Sequence, residues 1–204
     1  MKNLSINQKL IISFILICCV SAVMYVITRI DLNIANNNDI VLRSNNGLNT
    51  NYINDIIYID FETKKHILPH SFSAISKTNS LSGQNSTFIN DQNDFSATIT
   101  LDLDEINIEK LNKVHLNYWY YPTKEKINAS VVVSIFDKES GEQIFWDCQR
   151  IVSDNIKPDY WHNKGKTFNI PDSIKKENSN LRIYALGGMD NSKVYFDDFE
   201  IAFA

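Results

Sequence analysis

Two adjacent carboxylates interrupt an apolar run near the end of the sequence. Asp197 and Asp198 lie between Phe196 and Phe199, in a stretch of aromatic and β-branched residues that predicts a buried strand. Successive strand residues point to opposite faces, so one of the two acids is expected to face the packed side, unless both face solvent at a strand end. An unpaired charge is costly to bury. The pair therefore predicts a partner for the buried carboxylate, and a cation is the natural one.

A second group of residues, aromatic and polar, is predicted to share an exposed face. Alternation in three predicted strands, around Trp119, Asp147 and Arg182, turns these side chains away from the core. Aromatic rings stack on sugars while polar groups bind hydroxyls, so such a face suits a glycan if the strands share a sheet. A ring covered by a neighbouring segment is the alternative for Trp119. The residues assigned to this face are Asn117, Trp119, Tyr121, Asp147, Arg182 and Tyr184. The inward sets of the first two strands are Val114, Leu116, Tyr118 and Tyr120, and Ile144, Trp146 and Cys148.

The elements that must position these residues are short strands. Ten β-rich runs follow residue 56 and are separated by turn residues, with almost no helical periodicity. Hairpin signals at residues 137–142 and 187–191 join two pairs of these runs. This pattern predicts an all-β, antiparallel sandwich. The predicted strands are residues 56–61, 72–75, 86–89, 96–101, 113–121, 129–136, 143–148, 166–169, 181–186 and 193–202.

The N-terminal segment is predicted to cross a membrane. Residues 10–28 carry no charge and would span about 28 Å as a helix. Lys2 and Lys9 precede them, which predicts residues 1–9 in the cytoplasm, a signal anchor at 10–30 and an extracytoplasmic remainder, periplasmic or at the cell surface. A cleaved signal peptide ending near Ala22 is the alternative. Residues 31–55 are rich in Asn and are expected to form a spacer before the domain at 56–204.

Charge and cysteine content exclude several classes of function. The chain has 20 basic and 24 acidic residues, and all three charges before residue 31 are basic, which leaves 17 against 24 beyond it. This balance argues against nucleic acid as a partner. Cys148 is the one cysteine outside the predicted anchor, so no disulfide is expected within the domain.

Several segments, taken in order, resemble one known pattern. They are Ile59-Asp60-Phe61-Glu62, Ser82-Gly83-Gln84-Asn85-Ser86, Trp161, Phe168-Asn169-Ile170-Pro171, Leu181-Arg182-Ile183-Tyr184 and residues 194–201. The resemblance is to the carbohydrate-binding-module-like jelly rolls of the galactose-binding-domain superfamily and covers roughly residues 56–204. It implies a jelly-roll sandwich and a structural Ca²⁺, with Asp60, Glu62 and Asp197 as ligands, since Ca²⁺ takes six to eight oxygens.

Signs of catalysis are weak. The acidic cluster at residues 102–105 favours a solvated turn over a pair of opposed glycosidase carboxylates. His66 and His70 are separated by Pro69, which disfavours a helical zinc site. We therefore predict a non-catalytic, membrane-anchored module that binds glycan or cell-envelope polysaccharide. The alternative is a module that docks another envelope protein.

Overall fold

A computed structural model describes residues 56–106, 111–187 and 193–204. Within these ranges the chain forms ten strands and two short 3₁₀ helices, at Pro69–Ala74 and Leu103–Glu105. The strands are β1 (Ile57–Ile59), β2 (Ile75–Ser76), β3 (Ser86–Ile89), β4 (Ile99–Asp102), β5 (Lys113–Pro122), β6 (Ile127–Asp137), β7 (Gln143–Ser153), β8 (His162–Asn169), β9 (Ser179–Gly187) and β10 (Val194–Phe203).

The strands form two antiparallel sheets. One has six strands in the order β2-β3-β10-β5-β8, with β1 also paired to β10, and the other has four in the order β4-β9-β6-β7. The predicted all-β antiparallel sandwich is therefore confirmed. The strands β1 and β3 share one edge of β10, at residues 199–201 and 194–196, so Asp197 and Asp198 lie at the break between them.

The core fills the space between the sheets with apolar side chains. The predicted inward set of β5 is confirmed, because Val114, Leu116, Tyr118 and Tyr120 are all buried. The Tyr118 ring stacks on Phe199 of β10 at 5.5 Å between centroids. These two rings belong to neighbouring strands of the six-stranded sheet and bury a large apolar area on its inner face.

Three local predictions are wrong. Residues 72–75 do not form a strand, because Pro69 starts the 3₁₀ helix Pro69–Ala74 and leaves only Ile75–Ser76 extended. The turn predicted at 187–191 is not a hairpin, since β9 and β10 belong to different sheets. Along β7 the predicted faces are inverted: Ile144 and Trp146 are exposed, whereas Phe145 packs against the core. The hairpin predicted at 137–142 is confirmed by the pairing of β6 with β7.

Two lysines protect the free edge of β7. In the described chain β7 pairs with β6 alone. Lys166 of β8 donates to the Cys148 carbonyl at 2.8 Å and to Asp147 at 2.8 Å, and Lys164 donates to the Arg150 carbonyl at 3.2 Å. These bonds occupy backbone acceptors that an added strand would need.

The predicted cytoplasmic segment, membrane anchor and spacer, residues 1–55, lie outside the described residues. Where the chain is described, no helix has the length and apolar character needed to span a bilayer.

Candidate functional site

A groove of about 500 Å³ opens on the outer face of the four-stranded sheet. Its floor is formed by Phe136 of β6 and by Arg182 and Tyr184 of β9, whose side chains alternate with the buried Leu181, Ile183 and Ala185. Its wall comes from the 3₁₀ helix Pro69–Ala74 and from residues 92–98. Four segments separated in sequence therefore meet at one concave surface.

Aromatic rings and one cation line the groove. Phe95 is 55% exposed and lies 5.9 Å from the Tyr184 ring, at an interplanar angle of 55°. The Arg182 guanidinium carbon stands 4.0 Å over the centre of the Phe136 ring. These groups offer flat apolar surfaces beside hydrogen-bond donors, which is the combination that sugar recognition requires.

Hydrogen bonds hold the wall against the sheet. Ser71 Oγ donates to the Leu68 carbonyl at 2.8 Å and accepts the Thr98 N–H at 2.9 Å. Ser96 Oγ accepts the Ala185 N–H of β9 at 2.8 Å, and the Ser96 N–H returns a bond to the Ala185 carbonyl at 2.9 Å. The wall is thus fixed before any ligand arrives, which reduces the ordering cost of binding.

Trp146 extends the same face beyond the groove. Ser134 of β6 is paired with Arg182 on one side and with Trp146 of β7 on the other, so these three side chains point the same way. Two strand spacings separate Arg182 from Trp146, which is roughly 10 Å. Trp146 is 49% exposed. An extended ligand that crosses the strands would contact both residues.

The six predicted ligand residues do not form one surface. Arg182 and Tyr184 line the groove. Asn117, Trp119 and Tyr121 belong to β5, in the other sheet, where they alternate with buried residues and so lie on that sheet's outer face. Asp147 points between the sheets. The predicted single face is therefore wrong, because alternation gives the side of a strand but not the sheet to which the strand belongs.

The β5 residues make structural contacts on their own face. Asn117 donates to Glu200 at 3.1 Å, and the Tyr121 hydroxyl donates to Asp159 at 3.3 Å. The Tyr121 ring also contacts Trp161 and Tyr195, with centroids 5.4 and 6.1 Å away. Trp119 is half-buried opposite Asp197. On this face the Tyr121 ring therefore packs against both Trp161 and Tyr195.

Asp147 was predicted to point away from the core, and this prediction is wrong, although its side chain stays 42% exposed at the flank of the sandwich. Its carboxylate pairs with Lys166 of the opposite sheet, and its neighbour on the same side, Gln149, accepts the Tyr118 hydroxyl at 2.9 Å. The outward side of β7 carries more apolar residues, Ile144, Trp146, Cys148 and Val152, than the inward side, which carries Phe145 and Ile151. The open flank of the sandwich then admits polar side chains that reach partners in β8 and β5.

The predicted metal ligands are engaged by backbone amides. Asp197 Oδ2 accepts the N–H groups of Leu81 at 2.8 Å and Ser82 at 3.4 Å, and Oδ1 accepts that of Asp198 at 2.9 Å. Glu62 Oε1 accepts the N–H groups of residues 84 and 85 at 2.6 and 2.7 Å. The two carboxylates therefore hold the loop at residues 81–85 at both ends: Asp197 binds residues 81 and 82, and Glu62 binds residues 84 and 85.

A β-bulge resolves the problem of the paired aspartates. The register between β10 and β5 shifts between Asp197 and Glu200, and Asp198 takes a left-handed φ of 49°. Asp197 stays on the outer face of its sheet, opposite Trp119, where the loop covers it completely. The expectation that one acid faces the inter-sheet core is therefore wrong. Burial, reinforced by the nearby charge of Asp198, raises the pKa of Asp197 to about 7.

The carboxylates do not form a calcium cage as they stand. All four oxygens of Glu62 and Asp197 accept N–H groups, the last of them Glu62 Oε2 from Asn85 Nδ2 at 3.1 Å, and Asp60 accepts the Glu62 N–H. Among the described residues no three His, Cys, Asp or Glu side chains are grouped to hold a metal. N–H groups aimed at these oxygens do not fit a cation, so calcium binding stays a prediction from the sequence.

Sequence reasoning missed three residues of the groove face. Trp146 was assigned to the wrong side of β7. Phe136 ends a strand that is apolar on both faces, so alternation carried no signal for it. Phe95 lies outside every strand, and only its exposure in the folded chain identifies it.

No protein-family model matches the chain, and no curated protein matches it. Solved structures, in contrast, match the chain in fold. The CBM22-2 xylan-binding domain of Paenibacillus barcinonensis Xyn10C matches with a TM-score of 0.51 and 12% identity, over 72% of this chain and 99% of that domain. The tandem CBM22-1-CBM22-2 domains of the same protein match with a TM-score of 0.51 and 12% identity, over 72% of this chain and 50% of that one. The Family 16 Carbohydrate Binding Module-2 matches with a TM-score of 0.41 and 12% identity, over 62% of this chain and 82% of that one.

These likenesses concern the fold. At 12% identity they show that the chain has the jelly-roll fold of carbohydrate-binding modules, which confirms the resemblance seen in the sequence.

Proposed function

We propose that this protein is a non-catalytic glycan-binding module and that the glycan lies in the groove of the four-stranded sheet. The observation that carries the proposal is the groove itself, where the Tyr184 and Phe95 rings stand beside the Arg182 guanidinium on a wall already fixed by hydrogen bonds. Preformed concave sites with a few convergent polar groups are the usual form of small-ligand sites.

The acidic content of the groove suits a binding site better than a site of glycoside hydrolysis. Among the described residues that line the groove, Asp94 is the one with a carboxylate. Glycoside hydrolysis commonly needs two carboxylates on opposite sides of the scissile bond. The acidic cluster near β4 has another role, because Asp102 and Asp104 both pair with Lys138.

The location of the module is part of the proposal. We propose that residues 10–30 anchor it in a membrane and that the sandwich is extracytoplasmic. The support is the uncharged run and the basic residues before it. Calcium, which the resemblance alone implies, is not part of this proposal, because the oxygens of Glu62 and Asp197 already accept N–H groups.

A glycan array with the full-length chain tests the function. The chain is kept in a detergent without a sugar headgroup, so that the detergent does not compete for the site. We expect binding to a defined set of glycans and loss of at least tenfold in affinity for Tyr184→Ala, since an aromatic contact and its buried area are removed. The matched control is Trp119→Ala, an aromatic residue on the other sheet. An array without signal, or equal losses for both variants, contradicts the proposal.

Exposed apolar residues along β7 favour a second candidate, docking of another envelope protein. Ile144, Trp146 and Val152 are 42%, 49% and 61% exposed on one side of the strand. A photo-cross-linker placed at position 146 in intact cells distinguishes the two functions. One defined cross-linked protein, together with an array without signal, supports docking.

A further inference from the structure

Arg182 is a cation without a counter-ion. Among the described residues its guanidinium donates no hydrogen bond. No carboxylate oxygen of these residues lies within 4.0 Å of its nitrogen atoms, the limit for an ion pair. Its Nε atom is the only buried side-chain nitrogen or oxygen without a partner in the three described ranges of the chain. Folded proteins leave very few such groups, since each one costs free energy.

The position of the guanidinium leaves its ends open. Phe136 holds one face of the planar group, with the Arg182 Cζ atom 4.0 Å from the ring centre. Only Nε is both buried and unpartnered, so the two terminal nitrogens reach the space of the groove that Arg182 lines. A guanidinium fixed in this way presents parallel N–H donors, a geometry that matches the two oxygens of a carboxylate.

We propose that the groove selects a glycan bearing a uronic acid and that Arg182 binds its carboxylate through paired N–H donors. The inference rests on the proposed function, because it assigns a substituent to the ligand of that site. The neutral sugar rings contact Tyr184 and Phe95, and the acid group reaches the guanidinium.

The surrounding charges limit how acidic the glycan is. Asp94 also lines the groove, and the chain as a whole carries a formal net charge of −4. A densely charged polyanion is repelled by this field, whereas a mainly neutral chain with occasional carboxylates is not. The structure therefore fits a sparsely substituted acidic polysaccharide.

Calorimetric titration of the full-length chain tests the inference with three probes. The first is a xylan fragment with one glucuronic acid branch. The second is the same fragment after its carboxyl group is reduced to an alcohol, and the third is the reduced fragment carrying one sulfate. We expect the acid fragment to bind roughly tenfold to a hundredfold more tightly than the other two, since charge-assisted bidentate bonds are stronger and depend on shape.

Variants assign the effect to one residue. Arg182→Met keeps the apolar stem over Phe136 and is expected to bind the acid fragment no better than the reduced fragment. Arg182→Lys, which keeps the charge without the planar fork, is expected to retain part of the preference. Arg150→Met is the matched control, because Arg150 lies on the same face of the sheet at its other edge.

Each outcome has one meaning. Equal affinities of the unmodified chain for the acid and reduced fragments overturn the carboxylate inference and leave glycan binding intact. Equal affinities for the acid and sulfated fragments overturn the specificity for carboxylate in favour of any anion. Binding of none of the fragments, with no signal on the array, overturns the proposed function and this inference together.

Discussion

Asp197 Oδ2 accepts the backbone N–H of Leu81 at 2.8 Å, although 116 residues separate the two in sequence. The bond fixes the surface loop at residues 81–85 to the break between β1 and β3. Because the loop covers Asp197 completely, its carboxylate is removed from water and stands close to the charge of Asp198. The same arrangement that holds the loop therefore makes ionisation of Asp197 costly.

Stability is expected to fall as the pH rises through neutrality. The pKa of Asp197 is raised from 3.8 to about 7 in the folded chain, so the folded state retains a proton that the unfolded state has lost between these values. The stabilisation from this proton is complete below the unfolded pKa and is lost as the pH rises through 7. We expect the melting temperature of the unmodified chain to decline relative to Asp197→Asn between about pH 5 and 8.

Two comparisons keep that test specific. Asp198→Asn removes the neighbouring charge and should weaken the pH dependence, whereas Asp91→Asn on an exposed loop should not change it. Parallel melting curves for the unmodified chain and Asp197→Asn across this pH range are the result that contradicts the prediction.

Gly83→Ala is expected to destabilise the loop. Gly83 has a φ of 55°, and a Cβ there would clash with Glu62 Oε1. Glu62 can move aside only by giving up its bonds to the N–H groups of Gln84 and Asn85. We expect a loss of roughly 1–3 kcal/mol in the free energy of unfolding, measured in urea.

Gly141→Ala is the matched control for that prediction. Gly141 has a similar φ of 70° with nothing within 4 Å of the added Cβ, so it reports backbone strain alone. The difference between the two variants measures the contact with Glu62. It should shrink when Glu62→Ala is added to Gly83→Ala. Equal costs for both glycine variants would show that the contact is unimportant.

Calcium is not expected to change the melting temperature of the chain. Because the oxygens of Glu62 and Asp197 already accept amide N–H groups, we expect the same melting temperature in chelator and in millimolar Ca²⁺. A ligand that binds only the folded state raises the melting temperature by mass action. A rise of several degrees with Ca²⁺ that Asp197→Asn abolishes would instead support the ligand set predicted from the sequence.

Removal of the edge lysines is expected to promote self-association. Lys164 and Lys166 occupy the carbonyls of Arg150 and Cys148 on the free edge of β7. Their joint replacement by Ala exposes an eleven-residue strand to pairing with another chain. Sedimentation over a concentration series should reveal dimers or larger species. Joint replacement of Lys65 and Lys126 by Ala removes the same charge elsewhere, and equal association of the two double variants argues against edge protection.

The sequence predicted where the strands lie better than it predicted which side chains contact one another across the two sheets. In β5 buried residues such as Val114 and Leu116 alternate with half-buried ones, as predicted. The prediction succeeds because one side of this strand is entirely apolar. In β7 both sides are mixed, and the side chosen depends on Lys166 and Tyr118, which come from the other sheet. Such partners are set by tertiary packing and leave no trace in local alternation.

The groove lay beyond sequence reasoning for a related reason. Its floor and wall join β6, β9, residues 92–98 and the 3₁₀ helix Pro69–Ala74, which become neighbours only through the order of strands in the sheet. The bulge at Asp198 was equally hidden, since one extra residue reverses the expected faces of a strand without altering its composition. Arg182 and Tyr184 were identified because alternation correctly turned them outward.

The pairing of β1 with β10 has a mechanical consequence. Tension applied through the chain before Ile57 is carried first by three residue pairs, between residues 57–59 and 199–201. The groove lies on the other sheet, where β6 is paired along its length with both β7 and β9. Under load the domain is therefore expected to lose the pairing of its first strand before the groove deforms.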